Sequence, residues 1–130
     1  MGTVRSGIGI SLSLLIIISS LRISEGEPLS LRNFVRDTIS SKPIVIFSKS
    51  YCPYSRRAKV VFQEMNRVPY VIELDQRGDG VDIQDALQQM VGRRTVPQVF
   101  INGRHIGGSD DTYEAYENGD LAKLLENVPE

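Results

Sequence analysis

Ile44-Val45-Ile46-Phe47-Ser48-Lys49-Ser50-Tyr51-Cys52-Pro53-Tyr54-Ser55 is the stretch on which the fold turns. Its first four residues form a short apolar run after Lys42-Pro43, too brief for a helix, and read as a strand buried on both faces. Pro53 suits the first turn of a helix, where its missing N–H costs no hydrogen bond. From Pro53 to Asn66, Ala58, Val61, Phe62 and Met65 share one face and cations the other, which predicts an amphipathic helix. Cys52 thus lies where a strand passes into a helix, and the amides of a helix start favour a thiolate. It is the only cysteine in 130 residues, so no internal disulfide can form and any thiol chemistry must pass through a partner molecule. A buried, inert cysteine is the competing reading. Lys49 and Pro53 on either side, followed by Arg56, Arg57 and Lys59, favour the reactive one.

Working outward, Leu29, Phe34, Val35 and Ile39 have helical spacing, predicting a helix from Pro28 to Ser40. Val68 to Leu74 reads as a second strand, and Val81 to Val91 as a helix with Ile83, Leu87 and Met90 inward and Gly92 at its end. Val99-Phe100-Ile101 and Arg104-His105-Ile106 flank Asn102-Gly103, a strong hairpin signal. Two short helices follow Asp110, broken near Asn118-Gly119, with Leu121, Leu124 and Leu125 on the last apolar face. A strand–helix–strand unit favours a parallel crossover, and the hairpin extends its sheet antiparallel. The expected architecture is a four-stranded mixed sheet flanked by helices.

Residues 1–26 are a different material. A polar opening with Arg5 precedes an apolar run from Ile8 to Ile18, and Ser24 and Gly26 fit a signal-peptidase site before Glu27. The run is short for a membrane span of about 20 residues, although Leu21 and Ile23 extend it, so a retained signal anchor is the alternative. The expected division is a leader at 1–26 and one domain at 27–130, with entry to the secretory pathway. Composition, at 41% hydrophobic and 24% charged, is that of a packed globular chain. The net charge of −1 gives no reason to expect nucleic acid or an anionic membrane surface as partner, and one cysteine cannot build a metal cluster within one chain. Membrane contact is expected only if the leader is retained. His105, the only histidine, and Asp79, Asp82 and Asp85 read as structural or helix-start residues rather than catalytic or metal groups.

Three segments, Tyr51-Cys52-Pro53-Tyr54-Ser55, Arg94-Thr95-Val96-Pro97-Gln98-Val99-Phe100-Ile101 and Gly107-Gly108-Ser109-Asp110-Asp111, resemble the signature segments of the glutaredoxin family. The likeness runs from Leu29 to Val128 and is greatest to plant-type members with a secretory leader. It implies a thioredoxin-like three-layer sandwich, a monomer, and a glutathione-dependent thiol–disulfide oxidoreductase acting on glutathionylated proteins or small mixed disulfides. Ser55 departs from the dithiol pattern, in which a second cysteine stands at that position, and so implies a monothiol cycle. On the resemblance Cys52 is the nucleophile, activated by Lys49, Pro53 and Arg56, and Pro97 is cis beside it. Glutathione would be held by Lys49, Gln84 and Arg94 at its glycyl carboxylate, by Thr95 and Val96 along the groove, with Tyr54 as a wall. Gly108, Ser109 and Asp110 would take its γ-glutamyl end, and Ser109 or Asp110 would also cap the following helix. Glutathione is then a co-substrate. Two alternatives remain: a [2Fe–2S] cluster shared by two Cys52 thiolates and two glutathiones, and a redox-sensing adaptor.

Overall fold

The computed structural model describes residues 30–129, so the expected leader, with Pro28 and Leu29, lies outside the described residues. The elements run α1 (residues 30–41), β1 (Ile44–Ser48), α2 (Pro53–Glu64), β2 (Tyr70–Glu73), a 3-10 turn (Leu74–Gln76), α3 (Gly80–Val91), β3 (Gln98–Ile101), β4 (Arg104–Gly107), α4 (Ser109–Glu117) and α5 (Asp120–Leu124). The sheet order is β2-β1-β3-β4. β1 and β2 are parallel across the α2 crossover, while β3 is antiparallel to β1 and β4 to β3.

β1 is central and buried along its whole length. Its side chains alternate between two cores, as strand geometry requires. Val45 and Phe47 join Val35 and Ile39 of α1, Ile72, Phe100, and Ile83 and Leu87 of α3. Ile44 and Ile46 face the other way, onto Ala58, Val61 and Phe62 of α2, Val99, Ile101 and Leu121 of α5. The layers are therefore helices, sheet, helices, as expected. Phe47 is fully buried and meets Phe100 edge-on, with ring centroids 5.8 Å apart. Phe47→Ala should cost about 3–5 kcal/mol, a large share of a domain's stability. Urea unfolding should show it as a lower midpoint with an unchanged slope.

Element boundaries differ from the sequence expectation in places with a local cause. α2 stops at Glu64 rather than Asn66, because Met65 caps it and Asn66 takes a left-handed φ of 56°. β2 begins at Tyr70, not Val68: Pro69 has no N–H to donate, and Val68 stands 94% exposed. The Asn102-Gly103 hairpin forms with both residues at positive φ, and Gly92 ends α3 at φ 77°. Gly80 starts α3 close against the 3-10 turn, where an added Cβ would collide with the Leu74 carbonyl. Among the described residues no helix is long and apolar enough to cross a membrane.

Candidate active site

Strand register alone brings the three signature segments together. Phe47 of β1 pairs with Gln98 of β3, so the chain leaving β1 toward Cys52 runs beside the chain entering β3 through Val96-Pro97. Val99 pairs with Gly107, which brings the end of β4 and the start of α4 to the same edge. The Val96–Pro97 peptide is cis, and the Cys52 Sγ lies 4.0 Å from the Val96 carbonyl oxygen. Beside them opens a groove of about 180 Å³, lined by residues of three segments: Tyr54; Arg93, Thr95, Val96 and Pro97; and Gly108, Ser109, Asp110 and Asp111.

Cys52 is half-buried and occupies the N-cap of α2, with Pro53 at the first helical position. Partial burial is the largest single influence on its thiol and pushes the pKa up, but it is outweighed. The Ser55 amide, the Ser55 hydroxyl, the Tyr54 amide and the Lys49 ammonium together bring it below the ordinary thiol value. The loop before Cys52 is fixed. The Cys52 amide donates to the Lys49 carbonyl at 3.0 Å, and the Lys49 amide donates to Ser55 Oγ at 3.4 Å. Asp75 accepts from the Ser50 amide at 2.9 Å and also from its hydroxyl. The Arg56 guanidinium turns to the Tyr51 carbonyl at 3.3 Å and so braces this loop.

Across the groove, the expected helix cap is corrected. Gly108 is the N-cap of α4, and neither Ser109 nor Asp110 closes it; the Asp111 carboxylate accepts from the Gly108 amide at 2.9 Å. Asp111 also pairs with Arg93 at 2.7 Å, and these two contacts hold its carboxyl below the usual range. Ser109 Oγ is buried without a partner in a residue only 6% exposed, at the lip of the groove. Asp110 pairs with Arg57 at 2.7 Å, and that guanidinium stacks over Tyr113 at 4.3 Å.

Of the residues named from the sequence, Tyr54, Thr95, Val96, Pro97, Gly108, Ser109 and Asp110 line the groove, and Cys52 lies beside it. Lys49, Gln84 and Arg94 do not line it. Gln84 is buried and donates to the Arg94 carbonyl at 2.9 Å, steadying the Arg94-Thr95 loop, while Arg94 itself pairs with Asp85. Lys49 makes no ion pair among the described residues and acts on the thiol by charge. Sequence reasoning missed the roles of Arg93 and Asp111, the pairing of Arg57 with Asp110, and the contribution of Ser55 to the thiol. Two of these had a signal in their spacing: Asp111 is three residues past Gly108 and Ser55 three past Cys52, each at the position that folds back on an N-cap.

A four-stranded mixed sheet between helix layers, with a cysteine at the helix start after its central strand, is a thioredoxin-like architecture. The glutaredoxin family matches residues 44–106. Glutaredoxin-C8 of Oryza sativa subsp. japonica is 58% identical over 119 residues, covering 90% of this chain and 88% of that protein. Glutaredoxin-C4 of Arabidopsis thaliana is 70% identical over 93 residues, 72% of this chain and 69% of that one. The buckwheat glutaredoxin–glutathione complex superposes with a TM-score of 0.76 at 42% identity, covering 78% of this chain and 93% of that one. The chain belongs to the glutaredoxin family.

Proposed function

We propose that this glutaredoxin is a glutathione-dependent thiol transferase that works with one protein cysteine. The Cys52 thiolate attacks the glutathionyl sulfur of a mixed disulfide. The old S–S bond breaks, the substrate leaves as a thiolate and takes a proton, and Cys52 is left joined to glutathione. The thiolate of a second glutathione then attacks the glutathionyl sulfur, releasing oxidised glutathione and the Cys52 thiolate. A lowered thiol pKa serves both halves, because it supplies nucleophile in the first and a good leaving group in the second.

The observation that carries this reading is a single thiol, its pKa lowered by its surroundings, beside a groove whose lining includes Thr95, Ser109 and Asp110. The unpartnered Ser109 hydroxyl and the first amides of α4 suit the γ-glutamyl carboxylate, and Asp110 suits the ammonium once that ammonium displaces Arg57. Thr95 and Val96 offer backbone to the middle of the tripeptide, Tyr54 (62% exposed) a wall, and Lys49 a charge for the glycyl carboxylate. Arg94 would reach that carboxylate only by leaving Asp85, and Gln84 contributes through the loop backbone. The buckwheat complex supports glutathione as the ligand. A [2Fe–2S] cluster needs four thiolates, so the alternative requires two chains, each giving Cys52, and two glutathiones to complete the set. The test is turnover of a small glutathione mixed disulfide with glutathione or with an uncharged monothiol of equal pKa. Turnover is expected with glutathione and at least about tenfold less with the other; equal rates would sink the glutathione reading.

A further inference from the structure

His105 is the only histidine in the chain, and its ring is tied to the groove through one buried side chain. Gln98 opens β3 fully buried, so its amide group must find its hydrogen bonds within the protein. Its Nε2 lies 2.9 Å from the Thr95 carbonyl oxygen and 3.3 Å from Thr95 Oγ1. A carbonyl oxygen only accepts, so the NH2 end of the amide faces Thr95 and both of its protons are placed there. The oxygen end lies 2.7 Å from His105 Nε2. That oxygen too only accepts, which leaves one assignment: the ring carries its proton on Nε2 and donates it to Gln98 Oε1. Strand pairing explains the reach. His105 stands opposite Phe100, with ring centroids 5.0 Å apart, and Gln98 is the diagonal neighbour on the same face of β3.

We propose that His105 is a positioning residue for the groove: through Gln98 it fixes the carbonyl and hydroxyl of Thr95, and with them the Thr95-Val96 rim against which the ligand lies. The proposal rests on reading that groove as the glutathione site. Neither His105 nor Gln98 lines the groove, so both act through Thr95. Without the ring N–H, Gln98 Oε1 is left buried and unpaired, and the amide gains a reason to turn away from Thr95. The charged groups that face the ring are Arg93, from the loop before β3, and Asp111 of α4, and these pair with each other at 2.7 Å. Burial first, and then Arg93, holds the imidazole pKa below its ordinary value against the opposite pull of Asp111. Near neutral pH the ring is therefore uncharged, with its single proton committed to Gln98.

Proton–nitrogen correlation spectra of the intact wild-type protein should show neutral His105 as the Nε2–H tautomer, with a ring proton slow to exchange. His105→Phe keeps a ring against Phe100 without the N–H. It should raise KM for a small glutathione mixed disulfide by about three- to tenfold, the worth of one hydrogen bond, with kcat little changed. His105→Gln returns an N–H near the place of Nε2 and should return KM to the wild-type value. Cys52 alkylation by iodoacetamide should be alike in all three proteins, because the relay does not touch the sulfur. The Nδ1–H tautomer would overturn the proposal. So would an unchanged KM in the phenylalanine variant, an equal rise in both variants, or an alkylation rate that falls as KM rises. The tautomer is read from the wild type, so it decides even where a variant folds poorly. Equal wild-type turnover with glutathione and with an uncharged monothiol would instead sink the glutathione reading, and the tautomer would still decide the relay.

Discussion

Cys52→Ser should abolish thiol transfer, a loss of at least about 10³-fold in kcat/KM, because no other sulfur in the described chain can carry the intermediate. The fold should be unaffected. Cys52 belongs to neither core cluster, and a half-buried serine at an N-cap is a favourable replacement, so stability should change by about 0.5 kcal/mol or less near neutral pH. One difference has a defined sign. The thiol's folded pKa lies below its unfolded one, so ionisation stabilises the wild type. That contribution is complete above the unfolded value of ~8.5 and fades as pH falls through the folded value. The stability gap between wild type and Cys52→Ser should therefore widen with rising pH and then level off. Activity surviving in the serine variant would remove the whole mechanistic reading; a gap that narrows with pH would show that the thiol is not activated.

Ser55→Cys should change the chemistry rather than the fold. Positions 52 and 55 are one helical turn apart, about 5–6 Å between Cβ atoms, a separation from which a disulfide can form after small side-chain movement. In the wild type the Cys52–glutathione adduct can be resolved only by another thiol, so it should persist once free glutathione is removed. In the variant the new thiolate can attack the Cys52 sulfur, closing a disulfide and expelling glutathione as a thiol. Mass spectrometry after exposure to oxidised glutathione should find the adduct in the wild type and, in the variant, a protein two hydrogens lighter without glutathione. Activity on protein disulfides should rise, while turnover of small mixed disulfides falls, because the closed form lies off the single-cysteine cycle. An adduct equally long-lived in both proteins would mean that the buried position 55 does not reach the Cys52 sulfur.

Much of the fold was legible because its signals are local and strong. The four-residue apolar run of β1, the Asn102-Gly103 turn and the 3.6-residue periodicity of α2 and α3 each reflect nearest-neighbour chemistry. Boundaries were less legible where backbone conformation decided them, as with the left-handed Asn66 that ends α2 and the exposed Val68 that precedes β2. Within the site, Cys52 and the groove-lining Thr95, Val96, Ser109 and Asp110 could be named in advance because they sit inside short motifs. Side-chain pairings could not. Arg57 meets Asp110 across 53 residues of chain and Arg93 meets Asp111 across 18, and no spacing rule says which arginine finds which carboxylate. Arg94 illustrates the limit: its place in a motif suggested a ligand contact, but its guanidinium is held by Asp85 on the neighbouring helix.

The activated thiol and the groove differ in how much of the chain each needs. Every group that lowers the Cys52 pKa lies between Lys49 and Ser55, within one loop and the first turn of a helix. The groove draws on residues from Tyr54 to Asp111, and its two walls meet only when β3 and β4 are zipped onto β1. Reactivity is thus a short-range property of the molecule and recognition a long-range one. As the chain assembles, contacts of small sequence separation can form ahead of those of large separation. Partial opening of the β3–β4 edge would leave a thiol still able to react but no longer selective about what it reacts with. Selectivity is in this sense the more fragile of the two, and it depends on pairing between strands distant from one another in sequence.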